Sequence, residues 1–279
     1  MTAIKGEDSG TRSPDGPGRV LIIAGSDPSG GAGIQADIKT VTRLGHYAAA
    51  AIVALTVQNT TGVSGVHLVP EDIVRGQISA VLDDIGADAV KIGMLANADI
   101  ITAVADSLDA AGYTGPVVLD PVMVATSGDR LLADDAVDAL KTRLLPRASL
   151  VTPNLPEATV LTGLGMDTKA AMEQAGQALI AAGAGAALIK GGHGRETVLT
   201  DILVTPDSCM RLTGPRIETR HTHGTGCTLS SAAATGLAAG LPLPEACRLA
   251  HAFVRSAIEN APGFGAGHGP LGHERAEVA

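Results

Sequence analysis

The chain has 279 residues and a formal charge of −9, from 20 basic and 29 acidic residues, and its hydrophobic 45% includes two Phe, two Tyr and no Trp. An acidic chain without a Lys/Arg cluster and with so few rings excludes phosphate-backbone binding and base stacking, so nucleic acid is not an expected partner. Cys209, Cys227 and Cys247 form no CxxC, which excludes a disulfide framework or zinc knuckle and points to a reducing, cytoplasmic compartment.

Residues 1–18 are polar and carry no apolar stretch of the secretory type, so they are expected to be a disordered tail. The chain then alternates. The run "RVLIIA" ends at Gly25 and reads as a buried strand. "IQADIKTVTRLG" follows with Ile34, Ile38, Val41 and Leu44 on one helical face, and Gly45 is placed to stop it. "AIVALTVQ" is the next strand; the apolar run around it, Tyr47 to Val57, is too short to span a bilayer, so no membrane is expected. "EDIVRGQISAVLDDI" is a helix with a stripe of Ile73, Gln77, Ile78, Val81, Leu82 and Ile85. "DAVKIG", "PVVLD", "SLVTPN" and "AALIKGG" read as further strands, separated by helices over 98–112, 133–145, 155–163 and 169–183. "TVLTDILVT" and "CMRLTG" flank "PDS" as a hairpin, and helices over 225–240 and 244–261 close the pattern.

Strand and helix in such alternation specify an α/β fold: a mostly parallel central sheet with helices on both faces, in three layers α/β/α. Without a linker rich in Pro, Gly or Ser, one domain over 19–273 is expected, followed by a short C-terminal tail, 274–279. Ligands of such sheets sit at the carboxyl ends of the strands, which singles out the residues that follow each apolar run.

"HTHGTGCTLS" places Gly224, Thr225 and Gly226 before a helix, with Cys227 at its mouth. Glycines let several backbone N–H groups converge, and the helix start adds positive potential, so the turn suits a phosphoryl group. A thiol in that potential is expected to have a lowered pKa and to act as a base; the plainer alternative is a glycine-rich helix start with an inert cysteine. "AGSDPSGGAGIQAD" is a second glycine loop, neither GxGxxG nor Walker A, with Asp37 just inside the following helix. Asp37 is either a ligand carboxylate or ordinary charge near a helix start. Asp120 in "DPVM" and Asn154 and Glu157 in "TPNLPEA" end neighbouring strands. Two carboxylates beside a phosphate site fit Mg²⁺; the plainer roles are a turn residue and a capping charge. Lys190 in "IKGGH" fits a nucleotide phosphate, or a surface lysine. His221, His223 and His268 lack metal spacing, so structural roles are expected.

In order along the chain, "AGSDPSGGAGIQADIKT", "ALTVQNTTGV", "KIGMLAN", "DPVMVATSGDRLL", "LVTPNLPEA", "IKGGH", "THGTGCTLSSA" and "GHGPLGH" resemble the hydroxymethylpyrimidine and hydroxymethylpyrimidine phosphate kinases of thiamine biosynthesis, in the ribokinase superfamily. The resemblance runs from about residue 19 to 273. It implies a ribokinase-like fold and transfer of phosphoryl groups from ATP with Mg²⁺, first to the pyrimidine and then to its monophosphate. It implies that Gly25, Asp37, Gln58 and Met94 line the pyrimidine pocket, with Asp37 and Gln58 bonding the ring. It also implies that Lys190, Thr222, Asn154 and the GTG turn hold ATP, that Asp120 and Glu157 serve the metal, that Cys227 is the base, and that the protein is a homodimer. No inserted lid strands are evident between the first motifs, so a loop such as "ATSGDR" is expected to cover the substrate. Pyridoxal kinase, with its flat hydroxymethylated substrate, and a pyrimidine sensor that has lost catalysis remain alternatives; a dinucleotide oxidoreductase is disfavoured by the missing GxGxxG.

Overall fold

A computed structural model describes residues 16–125, 128, 129, 131–133, 135–192 and 196–278. The proposed N-terminal tail up to residue 15, His193, and parts of the "ATSGDR" loop lie outside the described residues.

The first turn of chain is strand β1 (Arg19–Ser26) followed by helix α1 (Gly33–Arg43). Side chains of β1 alternate perfectly: Val20, Ile22 and Ala24 enter one apolar core, Leu21 and Ile23 the other. That period of two is what burial on both faces demands of a central strand. Its neighbours are β2 (Tyr47–Asn59) and β4 (Ala89–Ile92), both parallel to it. The sheet continues in parallel through β5 (Val117–Leu119), β6 (Leu150–Val151) and β7 (Ala187–Ile189). Strands β8 (Val198–Val204) and β9 (Cys209–Pro215) form the expected hairpin at one edge, with β8 antiparallel to β7. With β3 at Gly62–Leu68, the order among the described residues is β3-β2-β1-β4-β5-β6-β7-β8-β9.

The two cores define the outer layers. One face is covered by α2 (Glu71–Asp84), α3 (Ala98–Ala110), α4 (Ala136–Ala139), α5 (Leu155–Thr162) and α6 (Lys169–Ala181), through Val74, Ile78, Ile101, Ala136, Leu161 and Met172. The other is covered by α1, α7 (Thr225–Ala238) and α8 (Leu243–Glu259), through Ile34, Val41, Leu229 and Phe253. An aliphatic core with Phe253 as its large ring suits this layering, because branched side chains interdigitate well between helices and sheet.

The structure departs from expectation in four places. Strand β3 (Gly62–Leu68) is an addition: β2 runs on to Asn59, turns at Thr60 and Thr61, and pairs antiparallel with β3 from Ala54↔Leu68 to Asn59↔Gly62. A lid hairpin therefore does stand between the first motifs. It escaped detection because "GVSGVHL" mixes glycine and polar residues, as exposed edge strands do. In α1 the inward face carries Ile34, Asp37 and Val41, while Ile38 is 37% exposed. In α2 Val74 faces the core and Ile73 is exposed. The helix expected over 133–145 is one α-helical turn running into a π turn, Leu140–Leu144, and a 3₁₀ turn, Leu145–Arg147.

The C-terminal segment is packed down. The Gly267 and His268 amides bond Thr60 at the hairpin tip, Pro270 bridges His223, and the His273 ring bonds Thr228 Oγ1 at 2.8 Å. Ala276 is fully buried.

Candidate active site

A cavity of about 800 Å³ opens at the carboxyl ends of β1, β4, β5, β6 and β7, where such sheets bind ligands. Its floor is the start of α7. Gly224 caps that helix at φ +84°, and a Cβ there would lie 1.8 Å from the carbonyl oxygen of Gly31. Only glycine accepts that backbone and that approach together. The two glycine loops thus pack against each other, and Gly226 and Cys227 start the helix on the cavity wall. First-turn amides have no partner inside their own helix, so they present donors and positive potential there.

Opposite the turn stands a charged cluster. Lys190 Nζ lies 2.9 Å from Asp120 Oδ1 and 4.0 Å from Glu157 Oε2. A Cβ on Gly226 would be 3.1 Å from Lys190 Nζ and 3.3 Å from Asp120 Oδ2, so ammonium and carboxylate lie directly over the glycine turn. Burial works to lower the Lys190 pKa, but Asp120 and Glu157 outweigh it and hold the ammonium charged. Burial, helped by Asp120, pushes Glu157 up to about 7 against the pull of Lys190. Glu157 also completes a capping box with Asn154: Asn154 Oδ1 accepts from the Glu157 amide at 2.9 Å, and Glu157 Oε2 accepts from the Asn154 amide at 2.8 Å. The capping role and the cavity position coexist.

At the other end, Gly25, Gln58 and Met94 line the wall. Every site residue expected from sequence lies on this cavity except Asp37. Asp37 is fully buried beneath it, with Oδ2 2.7 Å from Lys91 Nζ and Oδ1 accepting from Ser231 Oγ at 2.6 Å. Both carboxylate oxygens are engaged inside the protein, so the expected bond from Asp37 to a ligand ring is not the one the fold makes. The cause is the rotation of α1, which turns Asp37 toward β4.

Cys227 departs from its expected state. Burial pushes its thiol up to about 12, against the nearby Lys91 ammonium and a hydrogen bond from the Gly33 amide. The helix start alone does not make it a thiolate, because desolvation of the charged form wins.

Some cavity residues were not singled out from sequence. His223, expected to be structural, lies on the wall with Nε2 2.8 Å from Asp27 Oδ2 and 3.3 Å from Gln58 Nε2. Burial works to raise Asp27, yet hydrogen bonds from His223 and Ser29 hold it below the ordinary carboxylate value. At the far end, Asp201, Ile217, His251 and Arg255 extend the wall beyond Lys190. Asp201 sits within β8, His251 and Arg255 within α8, and Ile217 in the loop after β9, where no motif marks them.

A three-layer α/β fold with an amide-rich helix start facing a buried lysine and two carboxylates defines a phosphotransferase. The model of one family, phosphomethylpyrimidine kinase, matches residues 27–272, and the chain belongs to that family. It is 50% identical to the hydroxymethylpyrimidine/phosphomethylpyrimidine kinase of Rhizobium meliloti, over 91% of this chain and 96% of that one. It is 49% identical to the thiamine biosynthesis bifunctional protein ThiED of Geobacter sulfurreducens, over 94% of this chain and 53% of that longer protein. A solved structure of Staphylococcus aureus pyridoxal kinase with AMP-PCP and pyridoxal superposes with a TM-score of 0.84 at 35% identity, over 93% of this chain and 94% of that one. The architecture is ribokinase-like.

Proposed function

We propose that this protein transfers the γ-phosphoryl group of ATP to hydroxymethylpyrimidine, and then to the resulting monophosphate, within thiamine biosynthesis. The observation that carries this reading is one cavity with two unlike ends. A glycine turn under Lys190, Asp120 and Glu157 stands at one end, and Gly25, Gln58 and Met94 at the other. The names of the relatives support the substrate.

In this reading the amides of Gly224, Thr225 and Gly226 and the Lys190 ammonium hold the phosphates, with Thr222 and Asn154 beside them. Transfer then depends on positioning and charge neutralisation. Magnesium fits the donor set: two buried carboxylates beside a phosphate site, one of them pushed up to about 7 by burial and by the charge of the other. Asp120 and Glu157 would hold it, and it would neutralise phosphate charge. Gln58 offers an amide to the ring, and Met94, which a Cβ on Gly25 would meet at 2.7 Å, forms an apolar wall. Cys227 takes the hydroxymethyl proton as thiolate. Because its thiol titrates high, turnover is expected to climb with pH from about 7 to 9.

Pyridoxal is the second reading, favoured by the likeness to the pyridoxal-bound S. aureus enzyme. We also assign a homodimer through the β2–β3 hairpin, where Leu55 is 46% and Val57 64% exposed, and a cytoplasmic location; among the described residues no helix is long and apolar enough to cross a membrane.

The test is ADP release with MgATP on hydroxymethylpyrimidine, its monophosphate and pyridoxal, with products weighed by mass spectrometry. Turnover on both pyrimidines, with pyridoxal slower, is expected. Faster pyridoxal turnover selects the second reading, and binding without turnover selects a sensor. Cys227→Ser is expected to fold and to lose at least about 100-fold in kcat; unchanged kcat removes the cysteine from the mechanism.

A further inference from the structure

Lys91 is the largest fully buried side chain of the protein's described residues, and it sits in the middle of a sheet strand, β4. An ammonium taken wholly out of water is costly unless something needs it there. Its Nζ touches Asp37 at 2.7 Å, and both side chains have no exposure. The other Asp37 oxygen accepts from Ser231, which lies four residues, one helical turn, beyond Cys227 on α7. A Cβ on Gly93 would lie 2.8 Å from the ammonium, so the backbone just after β4 also confines it. The pair therefore sets a charged clamp under α7 at Ser231, one helical turn from Cys227.

We propose that Lys91 is a positioning residue for phosphoryl transfer: its ammonium, clamped by Asp37, is the fixed cation that stabilises the Cys227 thiolate. The proposal rests on the reading of Cys227 as base. Other groups also act on the thiol. Asp37 on α1 and Asp120 after β5 oppose the thiolate, and the Gly33 amide at the start of α1 favours it. Lys190 after β7 shares charge with it from the cavity side. Among these, Lys91 exerts the strongest pull toward the charged sulfur. The clamp has two signs built in. Removing Lys91 disfavours the thiolate, and removing the Asp37 charge favours it.

The experiment reads Cys227 directly, by the pH dependence of its iodoacetamide alkylation, with the modified peptide identified by mass so that exposed Cys209 does not interfere. Lys91→Met is expected to slow alkylation of Cys227 at pH 8 at least fivefold, and Asp37→Asn to speed it. Because Lys91→Met leaves a buried carboxylate unpaired, the double variant Asp37→Asn/Lys91→Met is included. It keeps the interior neutral and is expected to melt near the wild type, yet to turn over at least tenfold more slowly than Asp37→Asn with little change in KM. Its pH–rate profile is expected to lie at higher pH than that of Asp37→Asn. A double variant whose kcat equals that of Asp37→Asn assigns Lys91 a purely structural role and overturns the proposal. So does alkylation at Cys227 that ignores both single substitutions. Alkylation needs no substrate, so a shift in alkylation with unchanged kcat separates failure of the base assignment from failure of the charge that Lys91 supplies to the thiol.

Discussion

At the scale of single residues, the site is built where ordinary side chains would not fit. Gly224→Ala places a methyl group 1.8 Å from the Gly31 oxygen at a left-handed backbone. It is expected to destabilise the fold by at least about 2 kcal/mol and to abolish turnover, because the turn and the first glycine loop cannot stay in contact. Urea titration and the kinase assay check it; a variant with wild-type midpoint and kcat contradicts the packing. Glu157 gives a second residue-scale test. Its carboxyl, near 4.5 when free, is raised to about 7 in the folded protein. The folded state thus binds the proton more tightly. That contribution is fully present below pH about 4.5 and is lost as pH rises through about 7. Glu157→Gln, always neutral, is expected to gain stability relative to the unsubstituted protein as pH rises over this window. The gain is on the order of 3 kcal/mol. Denaturant midpoints at pH 5 and pH 8 measure it, and an unchanged difference between the two would mean that Glu157 is already ionised at pH 5.

At the scale of elements, the hairpin β2–β3 and the C-terminal segment act together. Gln58 stands two residues before the hairpin tip, and that tip is held by the Gly267 and His268 amides on Thr60. A Cβ on Gly267 would lie 2.0 Å from the Thr60 carbonyl oxygen. Gly267→Ala is therefore expected to push the tip away and raise KM for the pyrimidine about tenfold, with KM for ATP little changed. Equal loss on both substrates would mean that the hairpin does not carry the pyrimidine pocket. The same elements show why a linear reading is partial. The buried strands β1, β4 and β5 announce themselves as apolar runs, because both faces are covered. β3 is an exposed edge with glycine and polar residues, and its pairing is decided by the chain that folds back on it rather than by its own pattern. The glycines of "GHGPLGH" are legible as a motif, but the reason for Gly267, contact with Thr60 at the hairpin tip, is not.

At the scale of the whole molecule, one sheet joins both apolar cores, and each core draws on both halves of the chain. Calorimetry is accordingly expected to show a single transition with equal calorimetric and van't Hoff enthalpies; two resolved transitions would divide the chain into separate units.

The sequence by itself determined the layered α/β class, the cavity's place at the strand ends, and the glycine turn, lysine and carboxylates that line it. These follow from local facts: apolar period, glycine at turns, and chemistry-bearing residues directly after strands. The tertiary structure alone decided three things. It turned Asp37 inward to Lys91, because the rotation of α1 against the sheet is a packing outcome. It raised the Cys227 thiol instead of lowering it, because desolvation depends on what surrounds the helix start. It brought His223 to Asp27 and Gln58, because residues far apart in the chain meet only when the glycine loops and the hairpin close on one another.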